Sequence, residues 1–148
     1  MKKLILTSIL LVSMISVVVC QTTANKGFLT VKLFGFRSDK GQTCVSVFNT
    51  PKGFPGKYDQ AFKILRSPIK EKQATIVFKD LPFGTYAVSV LHDENLNNKM
   101  DTNIIGISKE GFGSSNNPKD RFGPPTFDDA KFDFNSASKN IEINIKYF

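Results

Sequence analysis

The sequence predicts an all-β fold, and three observations carry the prediction. Apolar and polar residues alternate with period two in several short segments, clusters of Gly, Pro, Asn, Asp and Ser separate those segments, and no stretch carries a long helical period. Period two sends successive side chains to opposite faces of a strand, so each segment offers one face to a core and one to water.

In chain order, Leu29, Val31 and Leu33 alternate with Thr30, Lys32 and Phe34, and the pattern stops at 37–41, where Ser, Asp, Lys and Gly cluster. This predicts a hairpin into a second strand at 43–48. Strands at 74–78 and 85–91 are expected to pair across Asp80, Leu81, Pro82, Phe83 and Gly84, where Pro and Gly mark a tight connection. The last segment is the clearest: Ile141, Ile143, Ile145 and Tyr147 alternate with Asn140, Glu142, Asn144 and Lys146. Weaker signals at 61–65 and 131–134 bring the count to about seven, the strand number of a single immunoglobulin-like or transthyretin-like (prealbumin-like) β-sandwich. At 57–66, Tyr58, Ala61, Phe62 and Leu65 would share one helical face, which allows a short helix. Residues 103–129 are rich in Gly, Ser, Asn and Pro and too long for a simple connection, a mark of functional or mobile loops.

Phe is abundant and Trp is absent. Phe28, Phe34, Phe48, Phe78, Phe132 and Phe134 fall in strand-like segments and read as core. Phe54, Phe83, Phe112, Phe122 and Phe127 fall near Gly or Pro and read as side chains that pin loops.

The chain opens with Lys2 and Lys3, continues through an apolar run at 4–19 dotted by Thr7, Ser8, Ser13 and Ser16, and turns polar at Gln21. That order predicts a cleavable signal peptide at 1–20, followed by the sandwich domain at 27–148. The apolar run falls short of the roughly 20 apolar residues of a membrane span, so no stable span is expected once the signal is cleaved. The expected location is outside the cytoplasm, periplasmic or secreted. A lipoprotein anchored through Cys20 is the secondary reading, because Val19 is a poor stand-in for the small residue such sites place before the Cys. The roughly 128 residues after the leader suit one domain. The formal charge is +7, with Lys2 and Lys3 supplying part of it, and the other basic residues are scattered among Asp, Glu and Asn. No basic stripe suits nucleic acid. Past the leader only Cys44 remains, within an apolar strand pattern, so it reads as a buried residue with no disulfide partner.

One constellation carries chemistry. After the strand at 85–91 come His92 and then a polar run with side-chain oxygens at Asp93, Asn95, Asn97 and Asp101. These match positions one, three, five and nine of calcium loops, where alternate residues wrap hard oxygen ligands around the ion. Lys99, at position seven, would contribute its backbone carbonyl. Asn98 stands at position six, where the chain must turn through the left-handed region that Gly favours and Asn tolerates. Position twelve, where a bidentate Glu belongs, is Ile104, which excludes an EF-hand; Asp101 or Glu110 would complete the shell. So few charged ligands predict weak calcium binding, at about 0.1 to 1 mM. The competing reading is a polar loop whose Asn and Asp side chains bond their own backbone.

Catalytic patterns are weaker. His92 is the sole His, which rules out a multi-His zinc site, and at a strand end it reads as a hydrogen-bonded structural residue. Ser114 or Ser115 with His92 and Asp93 makes a triad on paper, yet neither Ser sits in a nucleophile turn. Glu94 with Glu110, and Asp128 with Asp129, are carboxylate pairs of a kind any acidic surface offers. No catalytic residue is assigned.

Leu81, Pro82, Phe83, Gly84, Thr85, Tyr86 and Ala87, the run at 92–103, then Gly106, residues 109–113, residues 115–117 and residues 127–132 together resemble the signature blocks of domain-of-unknown-function family 2141 of bacteria. The likeness spans about 27–148; the His-Asp-Glu-Asn block is its specific part, and the family commonly has Gly where this chain has Asn98. The resemblance implies an exported sandwich and no particular reaction. The expectation is an exported, non-catalytic sandwich in which calcium orders residues 103–129 for an unidentified protein or glycan partner. The alternative is a small-ligand or glycan-binding cleft, hydrolytic or not, built on His92, Asp93 and Glu110.

Overall fold

The computed structural model describes residues 25–119 and 123–148. The expected signal peptide at 1–20, Cys20 and Phe122 lie outside the described residues. Eight strands run in chain order: β1 (Lys26–Phe34), β2 (Gln42–Phe48), β3 (Lys63–Ser67), β4 (Gln73–Pro82), β5 (Gly84–Asp93), β6 (Gly111–Ser114), β7 (Phe132–Phe134) and β8 (Ser138–Asn144). They form two sheets, β4-β1-β8 and β3-β2-β5-β6, with β7 pairing β5 beyond the end of β6. The fold is the expected sandwich. Antiparallel pairing dominates; the exception is β8, which lies parallel to β1 with Val31 beside Ile141.

The alternation in β1 buries Leu29, Val31 and Leu33 completely, against Ile76 and Phe78 of β4 and Ile143 of β8. Facing them are Val45 and Val47 of β2, Tyr86, Val88 and Val90 of β5, and Phe134 of β7. Each such side chain contributes about 1.5–3 kcal/mol by leaving water. The five-stranded sheet is covered on its other face too, where Phe48, Ala87, Phe127 and Ala130 form a second cluster joined by Phe54. Hence β5 is buried on both faces from Tyr86 to Asp93. Cys44 lies in that doubly covered sheet, buried and unpaired, and burial pushes its thiol up from the ordinary value.

Several expectations are corrected. β1 and β2 make no hairpin: the chain between them passes from one sheet to the other, with Phe36 buried on the way. β4 and β5 likewise separate into different sheets across Phe83, which packs edge-on against Phe134. Alternation marks a strand's apolar face but says nothing about which edge meets which partner. At 57–66 the short helix shrinks to a 3-10 turn, Tyr58–Gln60, while the weak strand signal at 61–65 is borne out as β3, because the edge of β2 supplies backbone partners that a lone helical turn lacks. Phe28 is 48% exposed, since its neighbours Gly27 and Leu29 take the inward positions; Phe34 and Phe132 are half-buried.

Residues 103–129 are not a plain loop. They contain β6 and lead into a one-turn helix, α1 (Phe127–Ala130), whose N-cap Thr126 and Asp129 bond reciprocally. The β6 edge also meets the chain beyond β8, where Phe112 and Lys146 exchange backbone hydrogen bonds of 3.0 and 2.8 Å. Two loop phenylalanines pin as expected, Phe54 stacking edge-on against Phe48 and Phe127. Among the described residues no helix is long and apolar enough to cross a membrane.

Candidate functional site

β5 delivers His92 and Asp93 to one end of the sandwich on opposite faces. His92, fully buried on the core side, stacks edge-on against Phe36 at 5.1 Å, with Nδ1 2.6 Å from the Tyr147 hydroxyl and Nε2 2.8 Å from the Lys40 carbonyl. Both ring nitrogens are engaged by groups other than Asp93. Ser115 is occupied as well: its hydroxyl accepts the Val88 N–H at 2.9 Å and donates to the Ala130 carbonyl at 2.5 Å. Ser114 pairs with Ser89, three residues down β5 from His92, or about 10 Å. The paper triad is not assembled.

Asp93 is fully buried at the strand's end, opposite Gln42. Its Oδ1 accepts the Asn97 N–H at 3.1 Å, and its Oδ2 accepts the Asn98 N–H at 3.0 Å and the Gln42 side-chain amide at 3.1 Å. One carboxylate thereby curls the following five residues over itself. Two residues take left-handed backbone to allow this, Leu96 at φ 63° and Asn98 at φ 61°, so position six turns as the sequence pattern requires. Gly41 packs beneath, at φ 75°, where a Cβ would fall on the Asp93 carbonyl.

Within the loop, Asn95 Oδ1 shares the Asn97 N–H with Asp93, and Asn97 Oδ1 accepts the Lys99 N–H at 2.8 Å. Asp101 takes one side-chain amide on each oxygen, Asn95 at 2.5 Å and Asn97 at 2.9 Å. Glu110, just before β6 and 3% exposed, spans the loop's two ends, accepting the Glu94 N–H on Oε1 and the Asp101 N–H on Oε2, each at 3.0 Å. The structure thus draws Asp93, Asn95, Asn97, Asp101 and Glu110 into one hydrogen-bonded loop, with Lys99 held through its N–H. Among the described residues, no three His, Cys, Asp or Glu groups are gathered as a ready metal cluster. Ile104 lies away from the loop, fully exposed.

Outside this ring, Arg37 grips Glu94 with two donors, one of them Nε at 2.9 Å, and also donates to the Lys109 carbonyl at 3.1 Å. The Arg37 hydrogen bonds, opposed by burial, hold the Glu94 carboxyl below the usual range. Sequence reasoning missed Arg37 and Gln42, because nothing near them in the chain points to residues more than fifty positions away. Neither proposed carboxylate pair is free: Glu94 faces Arg37, and Asp128 pairs with Lys131 at 2.8 Å while Asp129 caps α1. A cleft of about 240 Å³ opens elsewhere, lined in part by Phe112, Asn117, Pro125, Asn144 and Phe148.

The family model described as "Uncharacterized protein conserved in bacteria (DUF2141)" matches residues 31–142. No curated protein and no solved structure matches the chain.

Proposed function

The chain belongs to the DUF2141 family of uncharacterised bacterial proteins, and we propose that it is an exported, non-catalytic sandwich whose 93–101 loop, completed by Glu110, binds calcium weakly and so holds residues 103–129 for a protein or glycan partner. The observation that carries this is the burial of two carboxylates, Asp93 and Glu110, that pair with no cation among the described residues, beside a third in Asp101. Buried charge is costly unless a counter-charge or a metal meets it. The donor chemistry fits a hard cation: carboxylate, amide and carbonyl oxygens, with neither His nor Cys in the set. Calcium there would supply counter-charge and an anchor, and Asp93, Asp101 and Glu110, now joined only through the loop's hydrogen bonds, would have to draw together to serve as its charged ligands.

Weak affinity follows from the hydrogen bonds already made. Both oxygens of Asp101 hold Asn side-chain amides, and those bonds must be exchanged for the ion. Coupling to residues 103–129 runs through Glu110, whose carboxylate grips the loop while its backbone enters β6 at Gly111. Export, supported by residues 1–20, sets the concentration: a millimolar site fills where calcium is millimolar.

Calorimetric titration and thermal melting of the chelator-treated protein test the reading. With a Kd near 1 mM, about 5 mM calcium adds about 1 kcal/mol of stability, a shift of several degrees in Tm. No heat and no shift at about 10 mM overturns the calcium reading, whose predicted range ends near 1 mM.

A further inference from the structure

From Gln21 onward the chain carries two sulfur atoms, in Cys44 and Met100, and their surroundings differ. Cys44 is buried, and burial pushes its thiol up, which holds it in the unreactive protonated form. Met100 is half-buried where the 93–101 loop runs into a hairpin whose arms are bridged by Thr102 and Ser108. Its thioether reaches across that junction to the Ser108 hydroxyl, 2.8 Å from Sδ. The same hydroxyl accepts the Glu110 N–H at 3.2 Å and donates to the Glu110 carbonyl at 2.7 Å. One Ser108 proton therefore serves two acceptors, of which the thioether is the weaker. Through Ser108 the sulfur is one contact away from the residue whose carboxylate joins the Glu94 and Asp101 N–H groups. Calcium has no use for sulfur at this point, and a leucine would fill the same space.

We propose that Met100 is the site at which hydroperoxides modify this protein, and that its sulfoxide loosens the 93–101 loop by way of Ser108 and Glu110. A sulfur lone pair attacks one peroxide oxygen, and the S–O bond forms as the O–O bond breaks. The sulfur is oxidised by two electrons; the proton on the transferred oxygen passes to the departing one, which leaves as water or an alcohol. The thioether, a weak acceptor, becomes a polar sulfoxide. Its new oxygen must find room beside a 2.8 Å contact, and it competes with the Glu110 carbonyl for the single Ser108 proton. Both effects displace the Glu110 backbone and, with it, the carboxylate that closes the loop. The proposal goes beyond the calcium reading and stands on the metal-free hydrogen bonds alone.

The test is hydrogen peroxide treatment in a chelator, so that failure of the calcium reading leaves it untouched. It uses the chain from Gln21 onward, which keeps every described strand and has Met100 as its sole methionine, beside Met100→Leu and Ser108→Ala. A cooperative melt of each untreated variant shows that it is folded. The expected result is a mass gain of one oxygen that peptide mapping places on Met100, with a fall of several degrees in Tm that methionine sulfoxide reductases reverse. Met100→Leu should show neither the gain nor the fall, and in Ser108→Ala the fall should be no more than half as large. No oxygen gained at Met100 under a peroxide dose that oxidises free methionine overturns the proposal. So does an oxidised protein with unchanged Tm, or an equal fall in Met100→Leu, which places the damage elsewhere. An equal fall in Ser108→Ala shows that the hydroxyl carries no part of the effect, and overturns it too.

Discussion

The Tyr147 hydroxyl, 2.6 Å from Nδ1 of His92, holds the chain's one imidazole. The Lys40 carbonyl, 2.8 Å from Nε2, can only accept, so Nε2 carries the proton; Nδ1 of the neutral ring then accepts from the Tyr147 hydroxyl, whose oxygen in turn accepts the Arg37 backbone N–H at 3.0 Å. The relay ties β5 to the 35–41 crossover and to the C-terminal segment. Tyr147→Phe leaves a buried ring nitrogen without its donor and is expected to cost about 1–3 kcal/mol in urea unfolding. A slowly exchanging Nε2–H signal in the wild-type proton NMR spectrum checks the tautomer; a signal from Nδ1–H instead contradicts the relay.

Arg37 and Glu94 predict a specific pH dependence. The guanidinium's hydrogen bonds depress the folded-state pKa of Glu94 below its unfolded value of about 4.3. The stabilisation is therefore complete above the unfolded pKa and is lost as pH falls through the folded one. Arg37 is 48% exposed, so solvent screening keeps the contribution to about 1 kcal/mol or less. Wild type should exceed Glu94→Gln in stability by a constant margin above about pH 5.5, and the margin should shrink toward zero below about pH 4. Urea midpoints of both proteins across that window decide it, and a margin that grows on acidification refutes it.

Glu110 is expected to matter both with and without calcium. In Glu110→Gln one backbone N–H, of Glu94 or Asp101, faces an amide NH₂ instead of an acceptor, so the metal-free protein should lose about 1–2 kcal/mol. The same variant should lose the calcium-dependent rise in Tm. Unchanged metal-free stability would mean that Glu110 does not close the loop.

Two glycines separate strain from collision. Gly106 has φ 81° and open space around its missing side chain, so Gly106→Ala should cost about 1 kcal/mol through backbone strain alone. Gly41, at φ 75°, lies against Asp93 and Glu94 backbone, and Gly41→Ala should cost about 2 kcal/mol more by pushing the loop away. Equal costs would show that the 41–93 approach is looser than the structure has it.

The amino-acid sequence by itself determined the class of fold, the apolar face of nearly every strand, the single buried Cys and the polar loop after β5, because each is written in period-two patterning or in the local turn chemistry of Asn, Asp and Gly. The left-handed turn at Asn98 was legible for the same reason. Only the tertiary structure decided that β1 and β2 part into different sheets, that residues 57–66 divide into a 3-10 turn and β3, that Phe28 faces outward, and that Arg37 and Gln42 close on the 93–101 loop. Edge pairing and long-range side-chain contacts depend on where whole strands dock, and residues more than fifty positions apart leave no local pattern to reveal it. What alternation could show was a face; which partner covers that face is settled by the packing of the two sheets.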